Sequence, residues 1–505
     1  MTGSALRARV GAVRAVRSRG TARESAYILY AGALLAAVVF APIGKALVGV
    51  LADSSTIVAL TSHGAGVGVE AIAGGLVVVS LLVGTMRGPA LRPPYETWVL
   101  AGADIPRRVT FRNPVGRALA ATTLSLVVTA AVIGARLLSA GRSPLPMAVG
   151  FVIAAACWGI VVGVAWLVGQ RLTPQQSRFA AVSVAVATSV GVAWPVLAPA
   201  LPWAWVGASY PHGHSAVMVW PIFALLFIAS CALATVGRIL DGLSGPRLVA
   251  QAEQWATLGA YSGVGDMRTA LAQLRPHPGV GRSWRAIRAR SLAITFLVRD
   301  AVGAARTPWR CAMATLSVAG SALAWCVAST APGQLRLPMD LAAAVVCFSG
   351  IGAWSDGLRH AAESRQSRSL YGLGAGRLIR LHLAFPVLAA VASALIGAGV
   401  AVAVGAPVGG ALTAVSSAVT IVAVRVADSA KGTMPLALLA PISTPLGDFG
   451  GAVILLWQSD AVLFVAVTIG STVAVASDAP LAIAVLAPVI AVAAGVAWWR
   501  LRRPR

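Results

Sequence analysis

Residues 66–117 read GVGVEAIAGGLVVVSLLVGTM followed by RGPALRPPYETWVLAGADIPRRVTFRNPVGR. The first part, 66–86, holds a single charge, Glu70, in a run of apolar and small residues. A run near twenty apolar residues crosses a hydrocarbon core of about 30 Å as a helix, because a helix satisfies its own backbone polar groups. The second part carries six arginines, Arg87, Arg92, Arg107, Arg108, Arg112 and Arg117. A basic loop at the end of a span marks the cytoplasmic side. The fold of the chain follows from repeating this test along its length.

The chain has 505 residues, of which 58% are apolar and only 11% charged, with a mean hydropathy of +0.82. An ordinary soluble chain has about 25% charged residues. Too few charges remain to coat a water-soluble globule, and the apolar fraction excludes disorder. Twelve runs qualify as spans: 26–43, 66–86, 118–136, 147–169, 179–198, 216–236, 312–330, 339–354, 383–405, 408–427, 460–477 and 480–499. The stretch 433–458 is apolar, but its prolines and Gly447, Gly450 and Gly451 make it interfacial or re-entrant in this reading.

The net charge of +24 would point to nucleic acid in a soluble chain. With the N-terminus inside, 36 of the Lys and Arg residues fall on inner segments. Only Lys45, Arg136, Arg142 and Arg336 fall outside. The excess is therefore a topology signal, with both termini cytoplasmic and no nucleic-acid role. The spans fall into two sets of six: a basic N-terminal segment 1–25, a first half 26–236, a connector 237–311 and a second half 312–505. Each half starts inside, so the two are expected to be parallel repeats. An offset near 270 residues brings Glu70 onto Asp340 and Arg107 onto Arg377. The expected fold class is all-α: a polytopic membrane protein of about 12 transmembrane helices in two parallel six-helix repeats.

The connector reads as short amphipathic helices, with Leu248, Gln251, Trp255 and Leu258 near helical spacing. Its Arg282, Arg285, Arg288 and Arg290 surround Trp284, a pattern suited to anionic lipid headgroups. The loops 87–117 and 355–382 each follow the second span of their half and suit either lipid or a cytoplasmic partner. Cys157, Cys231, Cys311, Cys326 and Cys347 form no CxxC pair and read as small hydrophobes. His212 and His214 sit two apart on an outer segment with no third ligand nearby. No metal or cofactor site is expected. There is no GxxxxGKS/T phosphate loop, HExxH or GxSxG, so an enzyme is not expected. Ionisable residues within apolar runs are functional candidates. They are Glu70 and Asp340 at outer span starts, Arg425 with Asp428 at an inner end, and Asp460 at the inner edge of span eleven.

Two stretches carry a family resemblance. FLVRDAVGAARTPWR (296–310) precedes span seven like an elbow helix, and ESRQSRSLYGLGAGRLIRLHLAFPVLAA (363–390) contains LxGxGxxRLIRL after the eighth span. With the layout of spans, the chain resembles the ABC-2-type exporter permeases of high-GC bacteria in a two-half form. The resemblance implies a plasma-membrane permease without covalent chemistry of its own, driven by a separate ATP-binding subunit. It implies that the loops after each second span contact that subunit, through Glu96, Asp104, Arg107 and Arg108 in one half and Glu363, Arg368 and Arg377 in the other. The scarcity of charge at depth favours an amphiphilic substrate. A secondary, ion-coupled transporter using Glu70 and Asp340, or a non-transporting assembly protein, are the alternatives.

Overall fold

The computed structural model describes residues 53–62, 64–211, 219–263, 267–275, 278–285, 291–329, 336–364, 372–403, 405–432, 450–476 and 479–502, with a few isolated residues besides. It is helical throughout, apart from a two-residue ladder pairing Ser443–Thr444 with Gly447–Asp448. Among the described residues nine helices are long and apolar enough to cross a membrane, or ten if one bent pair counts as a single span. The chain is a membrane-embedded helical protein. It divides into two compact units, Met1–Ala260 and Tyr261–Arg505, and the division falls inside the connector.

The first unit contains α1 (Gly64–Met86), α2 (Pro94–Gly102), α3 (Arg112–Ser139), α4 (Leu145–Arg171), α5 (Pro174–Ala193), α6 (Val219–Asp241) and α7 (Gly245–Gly263). The central element is α4: 56% of its apolar window is buried, against 11% for α3. α1, α3 and α6 all pack on α4, and α5 packs on α1. The core they share includes Phe151, Trp158, Leu137 and Leu225. Phe179, Phe223 and Phe227 instead stand exposed on the outside of the unit. Water tolerates such an apolar surface poorly, whereas lipid tails solvate it.

Local sequence sets the helix starts. Thr173 caps α5 and forms a reciprocal box with Gln176, and Pro174 occupies the first turn, where its missing N–H is harmless. The helix therefore starts and stops about five residues earlier than the expected span 179–198, and Pro195 opens a short 3-10 turn, Pro195–Ala200. Gln175, Gln176 and Arg178 in its first turns keep α5 outside the nine apolar helices. The next segment, Pro202–Ala208, packs on α1 with Trp203 and Val206 buried. It is thus part of the unit's core.

The second unit contains α8 (Leu292–Ala305), α9 (Pro308–Ala328), α10 (Arg336–Ile351), α11 (Asp356–Glu363), α12 (Ala375–Ala403), α13 (Val408–Ser429), α14 (Gly450–Val465) and α15 (Ala479–Arg502). α9 packs against α10, α12 and α13, and α13 packs against α15. α14 continues through a π-turn, Ala466–Gly470, into Ser471–Val475, and the π-turn rests on α10.

Among the described residues the structure differs from the expected spans at three places; the run 26–43 lies outside them. First, α5 falls short in hydropathy. The run 339–354 is the 16-residue α10, which bends by 65° into α11 and reaches span length only as a pair. The eleventh span is Val453–Val475, so the end of the stretch expected to be interfacial is helical. Asp460 was expected at a span edge but lies within α14. It is tolerated there because two cations meet it, as described below.

α1 and α4 cross closely. A Cβ on Gly169 would lie 2.3 Å from the Leu81 carbonyl oxygen, so only glycine allows the two backbones to touch. Small residues at such crossings let packing replace the hydrophobic effect that lipid does not supply. Gly169→Ala is expected to cost about 1–3 kcal/mol, in the range of overpacked cores, and to lower the thermal unfolding midpoint in detergent. Gly75→Ala on α1, where a Cβ meets nothing within 4 Å, should be neutral or stabilising by up to about 1 kcal/mol.

Candidate functional site

Glu70 and Asp340 each occupy an early turn of an apolar helix, α1 and α10. Glu70 is buried, and its Oε1 has no hydrogen-bond partner. Gly191 of α5 makes room for it: a Cβ there would lie 2.9 Å from that oxygen. Asp340 is fully buried, and neither carboxylate oxygen has a hydrogen-bond partner. Arg336, one turn earlier, approaches to 3.8 Å. A buried indole hydrogen-bonds the helix that carries each acid. Trp158 Nε1 donates to the Ala73 carbonyl at 3.1 Å, and Trp325 Nε1 donates to the Asp340 carbonyl at 3.3 Å. These are the polar handles a buried tryptophan needs.

A charged cluster ties together one end of the second unit. Lys431 Nζ donates to Asp460 Oδ1 at 2.6 Å, and Arg500 reaches Asp460 Oδ2 at 3.4 Å. Arg500 also donates to the Ala427 carbonyl at 2.8 Å. The carboxylate of α14 is thereby shared by the residue following α13 and by the end of α15. Burial pushes the Lys431 ammonium below its ordinary pKa, and contact with Asp460 opposes that. Arg425 meets Asp428 at 3.3 Å, the i,i+3 spacing. It also donates to the Phe348 carbonyl and lies 3.4 Å above the Phe348 ring. The buried His382 of α12 and the half-buried Asp300 of α8 have Nδ1 and Oδ2 2.6 Å apart. Sequence reasoning placed Asp300 in the connector and did not pair it. Two lone polar residues in apolar runs were the available signal, but not their 82-residue separation.

Of the loop residues implied as partner contacts, Glu96 and Arg108 are engaged within the chain. Glu96 lies on α2 and meets Arg92 at 3.4 Å. The Arg108 backbone N–H donates to Asp241 Oδ1 at 3.0 Å, and its side chain reaches Oδ2 at 3.5 Å, fastening this loop to the end of α6. Arg107 is half-buried, and Asp104 is exposed. In the second unit Glu363 ends α11 and Arg377 begins α12, both exposed, while Arg368 lies outside the described residues, as do His212 and His214.

Two residues of the amphipathic face of α7, Leu248 and Gln251, are buried within the first unit. Leu248 is buried among Leu240, Leu243 and Leu167. Gln251 donates to the Thr85 carbonyl at 2.9 Å and accepts from Gln170 Nε2 at 3.0 Å. Gln170 Oε1 accepts the Ala90 amide at 3.0 Å, and Trp255 Nε1 donates to the Met86 carbonyl at 2.8 Å. The last carbonyls of α1, left open by the helix end, are thus taken up by α7. The sequence signal for this latch was Gln170, an amide within an apolar helix.

Gln251→Leu leaves buried amide and carbonyl groups unmatched, a cost of about 1–3 kcal/mol. α7 should then open more readily. Limited trypsin digestion should cut at Arg247 roughly five- to 150-fold faster, while Glu253→Gln, at an exposed position of the same helix, should cut at the wild-type rate.

The chain matches no protein-family model and no curated protein.

Proposed function

We propose that the chain is the membrane permease of an ATP-driven exporter, acting with a separate ATP-binding subunit on an amphiphilic substrate in the plasma membrane. In this reading the two units are parallel six-span halves with both termini cytoplasmic. The twelve spans are the nine apolar helices, α10 (with the bent helix α11 beyond it), the helix α5 and the run 26–43.

One observation carries the reading. The order of helices and their pairings recur in the two units. The second span (α1, α10) packs on the fourth (α4, α13) and on the fifth (α5, or α14 with its π-turn). The third (α3, α12) and the sixth (α6, α15) also pack on the fourth. In each unit a short helix, α2 or α11, follows the second span. In this reading such a helix on a basic segment would meet a cytoplasmic motor, and the protein itself would do no covalent chemistry.

The buried acids favour a second reading. Glu70 and Asp340, without hydrogen bonds in apolar helices, are the groups an ion-coupled carrier would load.

The test is isolation of the tagged full chain from its own membranes, followed by assay of ATP hydrolysis and of transport in vesicles. The expectation is a co-purifying chain with a phosphate loop, whose hydrolysis falls at least severalfold with Glu363→Ala combined with Arg377→Ala. Transport without any ATPase, driven by an ion gradient and lost in Glu70→Gln or Asp340→Asn, would establish the carrier instead.

A further inference from the structure

The second unit has a cavity of about 370 Å³ between the ends of α10 and α13 and the middle of α14, beside α11. Its walls include Arg275, Arg359, Arg425 and Lys431, with Phe348 and Trp457. We propose that this cavity binds a phosphate-bearing anion, either an anionic phospholipid headgroup or a soluble phosphate. The inference is independent of any ATP-binding partner.

Charge balance is the first support. The cavity and the ion pairs around it hold six cations, Arg275, Arg310, Arg359, Arg425, Lys431 and Arg500, against three carboxylates, Asp356, Asp428 and Asp460. Asp356 alone is shared by Arg275, Arg310 and Arg359. The surplus is three positive charges in a half-enclosed site, where an anion is attracted more strongly than in open water.

The second support is unspent donors. Arg359 Nε and Nη1 are buried and have no hydrogen-bond partner, and Nη1 stands 3.7 Å from Asp356. A guanidinium fork with open donors fits two phosphate oxygens at once. Buried donors without partners are rare in folded proteins, so this pair calls for an acceptor.

The third support is preorganisation. Arg425 is fixed against the Phe348 ring, and Lys431 lies 4.0 Å from the Trp457 ring centre. These cations are held before a ligand arrives, which reduces the entropy lost on binding. The volume lies within the range of about 300–1,000 Å³ for small-molecule sites. Basic pockets between membrane helices at headgroup depth bind lipid phosphates in general. Lys431 lies just past the end of α13 and Arg500 in the last turn of α15, so this basic pocket sits at the ends of two apolar helices.

The experiment uses the full chain in a maltoside detergent. Thermal unfolding and native mass spectrometry are followed with added phosphatidylglycerol, cardiolipin, phosphatidylcholine or inorganic phosphate. The expected result is that phosphatidylglycerol or cardiolipin, or inorganic phosphate, raises the unfolding midpoint, while phosphatidylcholine does so much less. Action by the anionic lipids alone identifies a headgroup as the source. Action by inorganic phosphate as well identifies a site open to soluble phosphates. Arg275→Gln and Arg359→Gln should each weaken apparent affinity about tenfold, the loss of one charge-assisted contact. Ser349→Glu keeps every arginine and places a carboxylate at an exposed cavity position; it should abolish the effect even if the arginine variants fold poorly. Arg380→Gln, at an exposed arginine away from the cavity, should behave as wild type. Stabilisation that survives Ser349→Glu, equal binding of phosphatidylcholine, or no response of the folded wild type to any probe would overturn the proposal.

Discussion

A charge in hydrocarbon has no water to hold it, and the arrangement of this chain depends on that constraint. The apolar helices bury their backbone polar groups by forming their own ladders. Their side-chain charges must find protein partners instead. Asp460 sits within a helix because Lys431 and Arg500 both reach it. Arg425 is spent on Asp428, a backbone carbonyl and an aromatic face. Apart from the Arg425–Asp428 pair within α13, these contacts join different helices, so the polar residues, few as they are, help fix how the apolar helices are assembled. Exposed ion pairs in water are worth little, but breaking a buried pair leaves an unmatched charge.

Most helices were legible in the sequence because hydropathy over twenty residues is a local property. α1, α3, α4, α13 and α15 each contain an expected span, and α6, α9 and α12 each cover all but two or three residues of one. Boundaries were less legible where a short polar or proline-bearing segment decided them. Thr173-Pro174 began α5 inside what read as a loop, and Asp460 read as an edge because its partners could not be seen. The cross-chain contacts were not legible at all. Gln170 with Ala90, Asp300 with His382, and Lys431 with Asp460 are joined by folding, and no sequence period encodes them. Of the candidate residues, Glu70 and Asp340 stood out as charges in apolar runs. The docking role of Arg108 came from resemblance, whereas its structural use comes from Asp241, which lies 133 residues away.

The two units solve the same packing problem with different central elements. In the first, α4 is enclosed by three neighbours and α3 faces outward along most of its length. In the second, α9, α12 and α13 share the interior more evenly, each with about two fifths of its window buried. The second unit also holds the larger charged cluster, with Asp356, Asp428 and Asp460 each serving at least one arginine or lysine. The polar chemistry of the molecule is therefore unevenly distributed between two units that share a helix order.

The seat of α7 is made by parts of the chain that are synthesised before it. Its glutamine and tryptophan bind carbonyls at the end of α1, and Gln170 at the end of α4 supplies the other amide. That seat exists only after both helices have been inserted and have come together. On a growing chain, α7 is therefore a terminal fastener: it can close only on a finished first unit, before most of the second has left the ribosome. A slipped insertion of α1 or α4 would leave α7 unseated, its apolar face open to the quality-control machinery that recognises incomplete membrane proteins.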